Sequence, residues 1–405
     1  MDLVGNGELC AAYQPIVELE SGRVVGYEAL ARGPSGSALE SPRALFAAAA
    51  ADSVTEPFDR ACREVAVQGA LEAELGRSEL LFVNVEPTAL SAGGVLDRLS
   101  DGELERLSVV VELTERDLAA RPGDVLAAVH WLRRRNCRVA LDDVGVDPRS
   151  LALMPFLSPD VIKLDVQLTK NRMPEPDAAR LLNAVSAEAE RSGAVLLAEG
   201  IENEQDKRRA IALGATLGQG WLFGRPGPLE RAADVELAPP LSPRHPAEAP
   251  TQTPLELIAA SRELRRGDKR LLLALSRQLE REALALHGEA VVISTFQDAS
   301  FFTPGTRLLY ERLGKSAALV GALGVGLAAE PGSGVRGASL STEDRLCGEW
   351  DVLVVGPHFA SAFVARDLGD ACADLNRRFD YFVTHDRELV LAAARSLLPR
   401  ILPIA

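Results

Sequence analysis

The sequence predicts an α/β protein: a modified (β/α)8 TIM-type barrel with an antiparallel first strand, followed by a smaller α/β or α+β domain. Three observations carry this. Short apolar runs of β-type residues alternate with helix-period stretches, mostly at the roughly 20 to 36 residues of one βα unit. Successive runs close on a polar group, at Glu28, Asn84, Glu112, Asp142, Lys163, Glu199 and Gln219. Between Glu236 and Pro254 six prolines (Pro239, Pro240, Pro243, Pro246, Pro250, Pro254) interrupt regular structure and mark a semi-stiff linker. The expected division is therefore a barrel over 1–235, a linker over 236–254 and a second, sensory-sized domain over 255–405.

The elements follow in order. Residues 13–18 and 23–30 are β-rich and joined by Leu19-Glu20-Ser21-Gly22, turn chemistry that predicts an antiparallel hairpin. Ala-rich, helix-period sequence occupies 42–51 and 57–75, before the apolar strand at 80–84. Strands at 109–112, 137–142, 161–165, 194–199 and 216–220 complete eight, enough for a closed barrel of about 225 residues. Strand C-termini of such a barrel open on one face, so the polar strand ends converge on one mouth. In the second domain an amphipathic helix is expected at 268–287, strands at 290–296, 318–325, 350–355 and 379–384, and a closing helix at 386–398.

Bulk properties narrow the function. A chain of 405 residues exceeds one ordinary core, and a net charge of -14 argues against a nucleic-acid polymer as partner. Cys10, Cys62, Cys137, Cys347 and Cys372 are odd in number and widely spaced, which reads as reduced, mostly packed thiols of a cytoplasmic protein. The longest apolar run, 317–329, falls short of the roughly 20 residues that cross a bilayer, and no basic, then apolar leader is evident, so no membrane insertion is expected. The five histidines fit no zinc spacing.

The strand ends carry the chemistry. Glu28, Asn84, Glu112, Asp142 and Asp143 offer only oxygen donors, the type hard cations such as Mg²⁺ or Mn²⁺ require. Adjacent Asp142 and Asp143 can hold two ions with one carboxylate shared, an arrangement suited to in-line attack on a phosphodiester. Lys163, on the following strand, can take or steer the water proton. Taken singly, each of these residues is more usually a cap, a salt bridge or a solvated charge.

Taken together, Gln14-Pro15-Ile16, Tyr27-Glu28-Ala29-Leu30-Ala31-Arg32, Val83-Asn84, Glu112-Leu113-Thr114-Glu115, Leu141-Asp142-Asp143, Ile162-Lys163-Leu164-Asp165, Ala198-Glu199-Gly200-Ile201-Glu202 and Gln219-Gly220-Trp221-Leu222-Phe223 resemble the ordered motifs of EAL-domain cyclic di-GMP phosphodiesterases. The resemblance implies hydrolysis of cyclic di-GMP to linear pGpG with two Mg²⁺ or Mn²⁺ ions, in a homodimer. It implies that Glu28, Asn84, Glu112 and Asp142 bind one metal and Asp142 with Asp143 the other. Glu199 then supports a metal-bound water, Lys163 the nucleophilic water, and Gln219 a water near the metals. Gln14 and Arg32 contact the dinucleotide, Glu202 completes the acidic rim, and Glu115 anchors the loop after Asp143. The run Val144-Gly145-Val146-Asp147 departs from the Phe-Gly-Thr-Gly that the resemblance leads one to expect, and slower turnover in isolation follows from it. The alternative is a receptor that binds cyclic di-GMP without cutting it and signals to a partner.

In the second domain, Leu272-Leu273-Ala274-Leu275-Ser276, Phe301-Phe302, Tyr310-Glu311-Arg312-Leu313, Glu349-Trp350-Asp351-Val352-Leu353-Val354-Val355-Gly356-Pro357 and Phe382-Val383-Thr384-His385-Asp386 resemble a DICT sensory domain. That resemblance implies control of the barrel by a sensed signal. No ligand-binding constellation stands out there in the sequence.

Overall fold

Leu19 to Gly22 do make a turn, and the barrel starts from it. In the computed structural model, which describes residues 8–85, 101–114, 119–145, 151–170, 172–229, 241, 250–286 and 288–401, Gly22 adopts φ +72 and its N–H donates to Glu18 O at 2.8 Å. A left-handed φ is natural to glycine, and so short a turn can return the chain only antiparallel. Strands β1 (Cys10–Glu18) and β2 (Val24–Arg32) therefore pair antiparallel.

Six further strands follow: β3 (Leu80–Asn84), β4 (Ser108–Thr114), β5 (Arg138–Val144), β6 (Val161–Leu164), β7 (Val195–Ala198) and β8 (Leu217–Gln219). They pair parallel with their sequence neighbours from β2 to β8, and β8 closes the ring antiparallel on β1. Strands buried on both faces read as apolar runs, which is why Leu80 to Val83 and Val109 to Val111 carry no polar alternation. Ile16, Phe82, Val110, Ala140, Val161, Leu197 and Leu217 pack as one cluster with Leu241. Leu241 O also accepts from Arg138 Nη2 at 2.7 Å and Nε at 3.1 Å, so the buried guanidinium is satisfied by a carbonyl distant in sequence.

Two of the helices between the strands begin at side-chain caps. Ser41 accepts from Ala44 N ahead of Pro42–Ala51, and Asn203 accepts from Gln205 N and Asp206 N ahead of Glu204–Ala212. Arg133 and Arg134 lie in the last turn of Pro122–Arg134, with Arg133 Nη2 donating to Ser158 O at 2.6 Å. Part of the Arg133-Arg134-Arg135 run thus serves the fold.

The chain divides into two compact units, Met1–Asp117, Ala127–Val146 and Ser158–Pro246 forming one, and Leu118–Leu126, Asp147–Leu157 and Ala247–Ala405 the other. Most of the proline-rich stretch lies outside the described residues.

The second unit is built on a seven-stranded mixed sheet in the order β12-β11-β10-β13-β14-β15-β9. Its strands are β9 (Arg265–Asp268), β10 (Val291–Asp298), β11 (Leu319–Val325), β12 (Arg336–Leu340), β13 (Glu349–Val355), β14 (Ala360–Asp367) and β15 (Arg378–Thr384). Sequence periodicity finds β10, β11, β13 and β15. It misses β9 and β12, which are the two edges, short and carrying arginine, and β14, which opens on Ala-Ser-Ala. Helices Lys269–Ala285, Pro304–Ser316 and Arg387–Leu397 start at the side-chain caps Asp268, Thr303 and Asp386. Within this unit Arg336 donates to the carbonyls of Ala119 and Ala120, and Arg395 to those of Pro155 and Phe156.

All five cysteines are free, two of them (Cys10 and Cys372) exposed rather than packed. Among the described residues no helix is long and apolar enough to cross a membrane.

Candidate active site

A regular strand sends adjacent side chains to opposite faces, so Asp142 and Asp143 cannot share a site unless the strand is interrupted. β5 is interrupted. Its pairing with β6 runs Leu141 to Ile162 and resumes at Val144 to Leu164, leaving two residues opposite Lys163, and Asp143 takes φ +57. Such a bulge re-aims side chains at a strand end. Asp142 Oδ1 comes to 3.0 Å from Lys163 Nζ, and Asp143 lines a cleft with Glu28, Asn84 and Glu112.

Lys163 is 1% exposed and stands among four carboxylates: Glu112 Oε1 at 2.7 Å, Glu199 Oε1 at 2.8 Å, Asp142 Oδ1 at 3.0 Å and Glu28 Oε1 at 3.8 Å. Burial alone pulls a lysine pKa down, but Asp142, Glu112, Glu199 and Glu28 outweigh it and hold the amine protonated well above its usual value. One ammonium does not balance four acids. Burial, then the charges of Glu28 and Asp142, push Glu112 well above the carboxylate range, and burial with Asp142 and Glu28 pushes Glu199 up as well.

An amide network holds the other side of Glu28. Gln219 Nε2 donates to Glu28 Oε2 at 2.6 Å and to Gln14 Oε1 at 3.2 Å, while Asn84 Nδ2 donates to Glu28 Oε1 at 3.1 Å. Gln14 Nε2 in turn donates to Gly224 O at 3.1 Å. The antiparallel β1 makes this possible, since Gln14 lies opposite Glu28 and Ile16 opposite Gln219. Beyond Gln219 the chain is pinned to the segment after β7: Ile201 N donates to Gln219 O and Leu222 N to Ile201 O, both at 3.0 Å. Gly220 lies so close that a Cβ there would stand 2.1 Å from Ile201 O.

The structure thus joins Gln14, Glu28, Asn84, Glu112, Asp142, Lys163, Glu199 and Gln219, with Asp143 on the cleft wall. Two expected residues are not joined. Arg32 feels the charge of Glu28 but its Nη1 donates to Ala31 O at 2.9 Å, and Glu202, exposed, pairs with Lys170 Nζ at 2.5 Å. Glu115, like residues 146–150 after the paired aspartates, lies outside the described residues.

The cleft, about 480 Å³, is also lined by Asp59 and Arg63, which the sequence reading missed. These form a buried i,i+4 ion pair on helix Thr55–Glu72. A signal was present: residues 59, 63, 66 and 70 fall on one helical stripe, so two charges sit in phase with buried Ala66 and Ala70.

The donor chemistry fits a hard divalent cation: carboxylates and one amide, with Glu112 Oε2 buried and without a hydrogen bond among the described residues. As placed, the carboxylates close on Lys163. Among the described residues no three His, Cys, Asp or Glu side chains converge to hold an ion by themselves.

The chain is similar to known proteins. The family model described as EAL domain matches residues 1–226, and that of a sensory domain in diguanylate cyclases and two-component systems, DICT, matches residues 256–368. Cyclic di-GMP phosphodiesterase RocR of Pseudomonas aeruginosa is 31% identical over 235 residues, covering 56% of this chain and 60% of that protein. Probable cyclic di-GMP phosphodiesterase PdeB of Escherichia coli is 28% identical over 244 residues, 56% of this chain and 45% of that one. The chain therefore spans about half the length of these relatives. The solved structure of EAL enzyme Bd1971, in its cAMP- and cyclic-di-GMP-bound form, shares the fold with a TM-score of 0.50 at 22% identity, over 56% of this chain and 64% of that one.

Proposed function

Because the chain belongs to the EAL-domain family, we propose that its barrel hydrolyses cyclic di-GMP to linear pGpG under the control of residues 255–405. The observation that carries this reading is the convergence of Glu28, Glu112, Asp142 and Glu199, from separate strands, on buried Lys163.

Glu28, Asn84, Glu112 and Asp142 are the residues to hold one Mg²⁺ or Mn²⁺, and Asp142 with Asp143 a second. Bound there, such ions supply Lewis acidity toward phosphoryl oxygens and a more acidic water. The protein's own part is positioning. Asn84 Nδ2 and Gln219 Nε2 each fix one oxygen of Glu28, so that this carboxylate is oriented before substrate arrives. Lys163, kept protonated by its neighbours, donates to and orients a water; in this arrangement it does not act as a base. Glu199 accepts from that lysine through Oε1, leaving Oε2 for a water proton. Gln14 and Arg32 contact the dinucleotide, the arginine through a phosphate oxygen. Glu202 extends the acidic rim and Glu115 anchors the following loop. The reading includes a homodimer, following the family resemblance.

Incubation of the full chain with cyclic di-GMP and Mg²⁺ or Mn²⁺, with chromatography of pGpG, tests the proposal. Glu28→Ala is expected to lower turnover at least about 100-fold. Tight binding of cyclic di-GMP with no metal-dependent pGpG would replace the enzyme by the receptor reading.

A further inference from the structure

Helix Lys269–Ala285 packs on the sheet of the second unit, and a helix so placed ordinarily buries an apolar stripe. Leu272, Leu279 and Ala283 supply one. Beside it, at i, i+7 and i+11, stand Lys269, Ser276 and Glu280, with Ser276 only 3% and Glu280 only 7% exposed. Polar groups at buried helix positions call for partners. Ser276 Oγ donates to Leu273 O at 3.4 Å, and all three residues also line a cavity of about 270 Å³ between this helix and β10, β13 and β15.

One part of the cavity wall is aromatic and the rest mostly polar, with Asp374 and Glu280 in the lining beside Arg377, Arg277 and Lys269. Phe296, Phe301, Trp350 and Phe379 line it, and Trp350 meets Phe379 edge to face at 6.0 Å. Arg377 lies among the rings, its Cζ 5.6 Å from the centroids of Phe301 and Phe379. Its Nη1 donates to Asp367 Oδ2 at 2.6 Å and its Nε stands 3.1 Å from Asp374 Oδ1. Among the described residues neither its Nη2 nor its Nε, both buried, has a hydrogen-bond partner. Lys269, by contrast, is already spent on Asp374, both of whose oxygens lie 2.7 Å from its Nζ. Buried donors are seldom left unpaired, so Arg377 Nη2 marks where an acceptor belongs. Aromatic rings in the lining and an unsatisfied guanidinium donor together describe a complement: a flat π-system with an anionic oxygen.

We propose that this cavity binds a small planar aromatic molecule bearing a carboxylate, with its ring among Phe296, Phe301, Trp350 and Phe379 and its oxygen on Arg377 Nη2. The volume, below the roughly 300 Å³ at which drug-sized ligands are accommodated, limits the occupant to one or two rings. Glu280, whose carboxyl meets the Tyr310 hydroxyl, offers an acceptor for a phenolic or ring N–H group. Nothing in this site depends on hydrolysis by the barrel, so its failure would leave the phosphodiesterase reading untouched, and the reverse.

The test is calorimetric titration of the full chain with sodium 4-hydroxybenzoate and with indole-3-acetate. Cyclohexanecarboxylate serves as a charged probe without a ring face, and benzyl alcohol as a ring without charge. Saturable binding of at least one aromatic acid is expected, with both controls at least tenfold weaker. Ser276→Leu, which narrows the cavity and leaves Arg377 intact, is expected to weaken the aromatic acid at least tenfold. Arg377→Gln is expected to do the same while abolishing the preference over benzyl alcohol. No binding by either aromatic acid, equal binding by the controls, or undiminished binding by a folded Ser276→Leu protein would each overturn the site.

Discussion

Lys163 supplies the one ammonium close to Glu28, Glu112, Asp142 and Glu199 among the described ion pairs. Removing one partner from a buried charged cluster leaves the others uncompensated, at about 3 to 5 kcal/mol. Lys163→Met is therefore expected to lower the urea midpoint markedly in chelator and to recover much of the loss in Mg²⁺ or Mn²⁺, because a divalent cation can take the place of the ammonium. Identical midpoints in the two buffers would remove the support for cation binding by these acids. Glu280 gives a second residue-level expectation. Burial pushes its carboxyl up to about 7, against the lowering effects of the Tyr310 hydroxyl, Arg277 and Arg281. The folded protein thus holds a proton that the unfolded chain releases nearer 4.5, so this group stabilises fully below that pH and the contribution is lost as pH rises through 7. Compared with Glu280→Gln, the parent should lose roughly 3 kcal/mol more between pH 4.5 and 7.5; parallel stability profiles would contradict it.

At the scale of elements, strand ends and their irregularities aim the chemistry. The bulge in β5 and the left-handed Asp143 convert a sequence dipeptide into two side chains usable at one mouth. After β8 the close approach of Gly220 to Ile201 holds Gln219 against Glu28. Gly220→Ala must displace that backbone, since its Cβ would lie 2.1 Å from Ile201 O. The expected result is a loss of at least about 2 kcal/mol in stability together with a fall in turnover larger than stability alone explains. A melting curve and kinetics like the parent's would show the segment free to move away. Strand ends were legible because a β-type run closing on an acid is a local pattern. Asp59 and Arg63 were overlooked because a charge pair at i,i+4 on a helix usually means a solvated face, and here that face is buried. Edge strands β9 and β12 were overlooked for a related reason: an edge needs charge, and charge erases the alternation by which strands are found.

At the scale of the whole molecule, two architectures share one chain: a ring of eight strands and an open seven-stranded sheet. The ring was legible from spacing, and its antiparallel opening from the Leu19 to Gly22 turn, since a short turn leaves no other return. The cavity of the second unit was not legible, because its lining comes from Lys269–Ala285, β10, β13, β15 and the segments with Phe301 and with Asp374 and Arg377, which are remote from one another along the chain. The sequence by itself determined which residue types stand at the ends of the barrel strands and hence which cation chemistry the mouth can support; hydrophobic period and composition are short-range properties and survive without coordinates. Only the tertiary structure decided that Arg32 and Glu202 stand apart from the Lys163 cluster, that Asp59 and Arg63 join the cleft, and that Arg377 keeps buried donors, Nη2 among them, without a hydrogen bond among the described residues. Those outcomes depend on distances between segments remote along the chain, which are set by packing and register and by nothing a residue's neighbours in sequence can express.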